Sequence, residues 1–201
     1  MKLYYSPGAC SLSPHIVAIE AGVPLELVRV DIKVHKTESG EDFYKINPKG
    51  YVPALILDDG TMLTEGPAVL EYLADLKPES GLAPACGTFA RYRLYEWLTF
   101  INGEIHKTFE PLFSETADES AKADARALLE KRFAFTDAAL ADKPFLIGDT
   151  FTVADSYLFV MTTWAHHLKV PQSNLLHEFF SRIAHRPAVR QAMKEEGLVK
   201  G

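Results

Sequence analysis

The chain has 201 residues and only two cysteines, Cys10 and Cys86. Two cysteines cannot build the disulfide framework that a small secreted scaffold needs. Neither belongs to a Cys-x-x-Cys pair. Cys10 is followed by Ser11-Leu12-Ser13, so a resolving thiol is missing at the usual spacing and dithiol redox chemistry is not expected. No apolar run approaches the roughly 20 residues of a membrane-spanning helix, so a membrane partner is not expected. Positive charge is not in excess. Lys and Arg number 21 against 27 Asp and Glu, and the net charge of -6 disfavours non-specific binding to nucleic acid. His166 and His167 have no third ligand at a recognisable spacing, so no metal is expected. Repeats and low-complexity tracts are missing. The first residues do not form a basic, then apolar, then cleavable leader. A reducing cytoplasm is therefore the expected location, and it would keep Cys10 as a thiol.

Hydrophobic residues make up 47% of the chain and charged residues 24%, an ordinary globular balance. The length admits one large domain or two small ones. The first half reads as strands and helices in alternation. Lys2–Tyr5 is a strand, Pro7-Gly8 breaks it, and a helix follows, with Ser13 as its expected cap and Pro14 at its first position. Gly22-Val23-Pro24 ends that helix. Leu25–Val30 is a second strand, parallel to the first in a βαβ unit. Lys33–Lys49 is polar and weakly patterned, with a short helix expected near Asp42–Ile46. Tyr51–Leu57 is a strand whose Val52-Pro53 bond is suspected to be cis. Asp59-Gly60 turns it back through Thr61–Leu63. Thr64 is the expected cap of the next helix, whose buried face is Val69, Tyr72, Leu73 and Leu76.

The expected fold is an α/β N-terminal domain, βαβ-α-ββα, over residues 1–78, a linker over 79–88, and an all-α C-terminal domain over 89–201. The helical runs are Phe89–Phe113, Glu119–Leu140, Thr152–Leu168, Leu175–His185 and Ala188–Glu195. Thr152-Val153-Ala154-Asp155 matches a capping box with Asp in place of Glu or Gln, ahead of a strongly apolar run. Its expected role is structural.

Three loops of the first half carry candidate chemistry. Cys10 lies at or just before a helix N-terminus, where orphan N–H groups and the helix dipole favour a thiolate. A buried cysteine acting as a small hydrophobe is the rival reading. Val52, extended ahead of Pro53, offers an N–H and C=O pair to an extended peptide. The amides at Glu65-Gly66 could hold a carboxylate and the Glu65 side chain an ammonium. A short peptide with a thiol, a carboxylate and an amine would use all three. In the second half His106, beside Lys107, is the candidate proton-transfer group.

Glutathione is such a peptide, and the motifs around these loops resemble the bacterial beta class of glutathione transferases. The similar stretches are Tyr5–His15, Asn47-Pro48-Lys49-Gly50, Val52-Pro53, Leu63-Thr64-Glu65-Gly66, Tyr72-Leu73-Ala74-Asp75, Glu96-Trp97-Leu98, His106-Lys107, Phe151–Asp155 and Arg186-Pro187. They span essentially the whole chain. The resemblance implies a thioredoxin-like N-terminal domain with Pro53 cis, a helical C-terminal domain, a homodimer, and glutathione as cosubstrate without a permanently bound cofactor. It implies that Cys10 lies next to the glutathione sulfur and that Val52 pairs with the cysteinyl backbone, with Tyr5 and Ser11 as rival activators of that sulfur because other transferase classes use a tyrosine or serine near this turn. Glu65 and Gly66 would hold the γ-glutamyl end, and His35 and Lys36 would lie near the glycyl carboxylate. Thr99, Gly103, Glu104, Ile105, His106 and Lys107 would line the other wall. Departures from the family pattern are Tyr51 for glutamine, His35 for lysine, Thr99 for asparagine and Gly103 for serine. The expected activity is conjugation of the glutathione thiolate to electrophilic small molecules. Glutathione-dependent disulfide exchange or peroxide reduction through Cys10 is the alternative, and non-catalytic binding of glutathione or apolar ligands is the third reading.

Overall fold

A computed structural model describes residues 1–199. The chain forms two compact units. One comprises Met1–Ala83 together with the chain from His185, and the other is Pro84–Ala184.

The first unit is built on a five-stranded mixed sheet of order β3-β2-β1-β4-β5. Strand β1 (Lys2–Tyr5) is central. It runs parallel to β2 (Glu26–Asp31), with Leu3 opposite Leu27, and antiparallel to β4 (Ala54–Ile56), with Leu3 opposite Leu55. Leu3 and Leu55 are fully buried, as the alternation of a central strand requires. Strand β5 (Met62–Thr64) returns antiparallel to β4 through the expected Asp59-Gly60 turn. The edge strand β3 (Lys36–Thr37) lies in the stretch read as unpatterned. Two residues are too short to show an alternation.

Helix α1 (Leu12–Ala21) starts before Ser13, so Ser13 is not its cap. Pro14 falls within the first turn, where its missing N–H is one of the groups that has no intrahelical partner in any case. The chain reaches the helix through tight turns instead, Ala9 N–H to Ser6 C=O and Leu12 N–H to Ala9 C=O, both at 3.0 Å. Thr64 is likewise the end of β5. Glu65 precedes helix α2 (Gly66–Asp75) with φ +73°, and Pro67 stands in its first turn.

The second unit is helical. Thr88 caps α3 (Phe89–Phe100) by accepting Arg91 N–H at 3.2 Å. The expected single run to Phe113 is continuous but irregular. It widens into a π-helical segment (Ile101–His106), tightens into a 3₁₀ turn (Lys107–Phe109), and ends in α4 (Glu110–Phe113). Helix α5 (Glu119–Leu140) is capped by Asp118. Helix α6 (Val153–His167) is buried along nearly its whole length. The box at its start forms as expected: Asp155 accepts from Leu146 N–H (2.8 Å), Thr152 N–H (2.9 Å) and the Thr152 hydroxyl (2.8 Å). Helix α7 (Asn174–Ala184) follows.

Helix α8 (Pro187–Glu195) belongs to the first unit and packs on α1. Buried His15 on α1 meets Glu196 at 3.0 Å through Nδ1 and Glu195 at 2.8 Å through Nε2. The other Glu196 oxygen accepts Gly8 N–H at 2.9 Å. Arg186 donates twice to Glu20, at 2.6 and 3.0 Å. The apolar face of this last helix (Ala188, Val189, Ala192) carries no sign in sequence that it packs on α1.

Candidate active site

In the first unit, Cys10 occupies the turn between β1 and α1 and is partly exposed. Its Sγ lies 3.3 Å from the Val52 carbonyl oxygen, to which the thiol donates. The two loops meet because Ala9 packs against a small core of Val30, Phe43, Val52 and Ala54. The Val52-Pro53 peptide is cis. Two of the sequence-marked loops are thereby brought together by backbone and packing. Fully buried Ser11 is turned inward, accepting Ser6 N–H at 3.2 Å and donating to Ser6 C=O at 3.4 Å. Tyr5 is 8% exposed, beside the His15 ring. Burial and the carboxylate of Glu196 raise its phenol pKa, which disfavours a tyrosinate.

Loop 47–51 is organised by Asn47, which is fully buried. Its Nδ2 donates to Tyr51 C=O at 2.7 Å and its Oδ1 accepts Lys49 N–H at 3.1 Å. Gly50 has φ +73°, and a Cβ there would lie 2.4 Å from the Tyr44 ring, so only glycine fits. His35 spends one ring nitrogen on this loop and the other on Tyr44. Nδ1–H donates to Gly50 C=O at 2.9 Å, and Nε2 accepts from Tyr44 at 3.2 Å. As it stands the ring offers no N–H to a glycyl carboxylate. Lys36 is exposed on β3. Glu65 is engaged by residues that the sequence alone does not mark as part of a site. Lys49 Nζ donates to its Oε1 at 2.5 Å and the Tyr51 hydroxyl to the same oxygen at 2.6 Å. Glu65 raises the pKa of both donors through these bonds. Gly66 opens α2 beside it.

In the second unit, the candidate residues cluster on the α3 exit. Thr99, Gly103, Glu104 and Lys107 are exposed. Glu104 is paired with Arg132 at 2.6 Å. Ile105 is fully buried with Ile101, so its side chain serves the core. His106 lies on the π-helical segment, a feature often found at functional positions. Its Nδ1 is 2.5 Å from the Tyr157 hydroxyl, which donates to Asn102 Oδ1 at 2.9 Å. The hydroxyl oxygen therefore accepts Nδ1–H, and Nε2 carries the lone pair. Edge contacts with Trp164 and Tyr157, at 5.0 and 5.8 Å between ring centroids, enclose the ring. Burial, aided by the Lys107 charge, lowers its pKa to about 4. It is a neutral imidazole at pH 7, not a group that titrates there. The sequence offered no signal for the Tyr157–His106–Asn102 chain, since its partners are 51 and 55 residues apart.

A mixed sheet with this strand order, a cis-proline beside a helix-leading cysteine, and a separate helical unit define a thioredoxin-like protein with an all-α extension. The family comparison agrees. The N-terminal domain of glutathione S-transferases matches residues 8–76 and the C-terminal domain matches residues 100–187. The glutathione S-transferase GstA of Escherichia coli O157:H7 is 46% identical over 200 residues, 98% of this chain and 100% of that one. A sphingomonad glutathione S-transferase solved in complex with glutathione superposes with a TM-score of 0.95 at 48% identity, covering 99% of this chain and 100% of its own. The bacterial beta-class glutathione S-transferase of Sphingomonas chungbukensis gives 0.94 at 47% identity, again covering 99% and 100%. The chain belongs to the glutathione S-transferase family, which makes it an enzyme with the beta-class bacterial transferases among its relatives.

Proposed function

We propose that this enzyme uses glutathione as cosubstrate and joins its sulfur to electrophilic small molecules, with Cys10 beside that sulfur. The observation carrying this reading is the 3.3 Å contact of Cys10 Sγ with the Val52 carbonyl. An extended peptide pairing with Val52 takes that carbonyl as its own acceptor. The Cys10 S–H is then released from the carbonyl and placed to donate to the peptide's sulfur, which stabilises the thiolate form. The thiolate attacks the electrophilic carbon, a carbon–sulfur bond forms, and the leaving group departs with its electron pair. The γ-glutamyl end lies at Glu65 and Gly66, and Lys36 lies near the glycyl carboxylate. In the second unit the candidate residues are Thr99, Gly103, Glu104, His106 and Lys107, with His106 as a neutral hydrogen-bond acceptor at Nε2.

A crystal grown with glutathione tests this. The ligand sulfur should lie in contact with Cys10 Sγ and the cysteinyl backbone on Val52. A sulfur placed elsewhere refutes it.

Partial exposure of the Cys10 sulfur favours a second activity, exchange with a glutathione disulfide. The Cys10 thiolate attacks one sulfur, a mixed disulfide forms, and the other half leaves as thiolate. Cys10→Ser should abolish exchange whether or not conjugation survives. Exchange that persists in that variant excludes the redox role. The setting we infer is a reducing cytoplasm, and the detoxifying role follows from conjugation. The homodimer is supported by Phe89 and Tyr92, 73% and 60% exposed at spacing i,i+3 on α3. Among the described residues, no helix is long and apolar enough to cross a membrane.

A further inference from the structure

The end of α8 carries two groups to the loop that holds Cys10. Gly197, at φ +74°, closes the helix in a Schellman motif: its N–H reaches Lys194 C=O at 3.0 Å and Leu198 N–H reaches Met193 C=O at 2.8 Å. Leu198 is thereby sent back across Gly8, where an added Cβ would lie 3.3 Å from Leu198 Cδ2. The Glu196 side chain is turned inward and has no exposed surface. Its Oε2 accepts Gly8 N–H at 2.9 Å, and its Oε1 accepts from His15 Nδ1 at 3.0 Å. His15 Nε2 faces Glu195 at 2.8 Å. Carboxylates only accept, so the ring donates from both nitrogens. An interior carboxylate costs stability unless it is paired in this way. What it holds in return is the amide two residues before Cys10.

That amide belongs to a turn with two available forms. Pro7 and Gly8 are the central residues between Ser6 and Ala9, Ala9 N–H donates to Ser6 C=O at 3.0 Å, and Gly8 has φ +71°. Proline second and a positive-φ glycine third mark a type II turn. Flipping the peptide between them converts it to type I, and glycine accommodates both. The closing bond from Ala9 to Ser6 is common to the two forms and cannot choose between them. Glu196 can. In the form present, Gly8 N–H points at its carboxylate. After the flip Pro7 C=O would point there instead, a carbonyl oxygen against an anion. Cys10 inherits the choice, because Ala9 closes this turn and opens the next: its C=O accepts Leu12 N–H at 3.0 Å, with Cys10 as the second residue. We propose that Glu196 is a positioning residue for Cys10, holding the Pro7-Gly8 peptide in its type II orientation and so fixing Sγ beside the Val52 carbonyl. His15 keeps the carboxylate charged and aimed. The effect on catalysis rests on the reading that Cys10 serves the glutathione sulfur.

The test compares Glu196→Leu, Glu196→Gln and a control, Arg186→Met, which loosens the same helix by removing its ion pair with Glu20. The assay is whichever of conjugation and disulfide exchange Cys10→Ala slows. Glutamine keeps an oxygen for Gly8 N–H and turns its own N–H to His15, whereas leucine offers neither. Glu196→Leu should lower kcat about tenfold with the glutathione KM within about twofold, because a displaced reacting group costs rate rather than binding. Glu196→Gln should recover most of that loss. Arg186→Met should lower the urea midpoint and leave kcat unchanged. Added to Cys10→Ala, Glu196→Leu should change the rate by less than about twofold, since the two act as one unit. If Glu196→Leu does not fold, Gly197→Pro takes its place: proline cannot adopt the positive φ, so the Schellman turn that delivers Glu196 is lost at an exposed residue, and the same fall in kcat is expected. Equal losses in Glu196→Leu and Arg186→Met, an unchanged kcat in Glu196→Leu, or a full loss that persists beside Cys10→Ala overturns the proposal while leaving the role of Cys10 intact. If Cys10→Ala slows neither reaction, the reading beneath falls with it, and that single variant shows so on its own.

Discussion

His106→Gln should remove an acid sensitivity that the buried ring builds into the fold. The ring has a pKa of about 4 in the native state against the ordinary 6.5 of a free side chain. Between those values the unfolded chain binds a proton that the native state refuses. Unfolding free energy therefore rises with pH through this window. The stabilisation is fully present above pH 6.5 and is lost as pH falls towards 4. At about pH 5 the loss is about 2 kcal/mol, since one pKa unit is worth about 1.4 kcal/mol. Glutamine keeps an N–H for Tyr157 but cannot be protonated, so the variant lacks this component. It also gives up the ring contacts with Trp164, which lowers stability equally at both pH values. The informative quantity is the difference between urea unfolding at about pH 7.5 and about pH 5. The native enzyme should lose about 2 kcal/mol more than the variant over that interval. Ring-proton NMR gives a direct check, because the His106 signals should stay constant down to about pH 5. A titration near pH 6.5, or parallel pH dependence for both proteins, would refute the burial argument.

Asp155→Ala leaves two N–H groups and a hydroxyl without their acceptor inside the helical unit. It should cost about 4 kcal/mol in denaturant unfolding, and a loss below about 1 kcal/mol would show the box to be dispensable. Gly50→Ala drives a Cβ to 2.4 Å from Tyr44 at a positive φ. A loss of about 2 kcal/mol is expected, partly recovered in the double variant with Tyr44→Ala, and strict additivity would refute the clash. If the proposed homodimer forms through Phe89 and Tyr92, Phe89→Ser with Tyr92→Ser should shift the sedimenting particle to monomer at micromolar concentration. An unchanged sedimentation coefficient would place the interface elsewhere.

What the sequence displayed were local signals. The Asp59-Gly60 turn, the Val52-Pro53 pair and the Thr152–Asp155 box each involve a few adjacent residues whose chemistry has one common use, and all three form as expected. Two caps were misplaced for a shared reason. Ser13 and Thr64 are good capping residues, but tight turns from Ser6 to Leu12 and the positive φ of Glu65 begin the helices without them. The widened turns at Ile101–His106 were invisible because π and α segments present nearly the same apolar spacing. Among site residues, Cys10, Val52 and Glu65 stood out by loop chemistry. In sequence Lys49 reads as loop polarity and Tyr51 only as a departure from the family pattern, although both hold Glu65. Tyr157 lies in the apolar run that follows the box, and its hydroxyl finds His106 only in three dimensions.

The clamp of Glu196 on Gly8 and His15 has a kinetic corollary. Its partners are separated by 188 and 181 positions. A growing polypeptide must therefore leave its sulfhydryl turn unfinished until Glu196 has been translated. Strands and first helices can assemble early, yet the amide of Gly8, two residues before Cys10, acquires its carboxylate only once Glu196 is in place. Nascent fragments that stop before Glu196 would have the sheet without the completed turn.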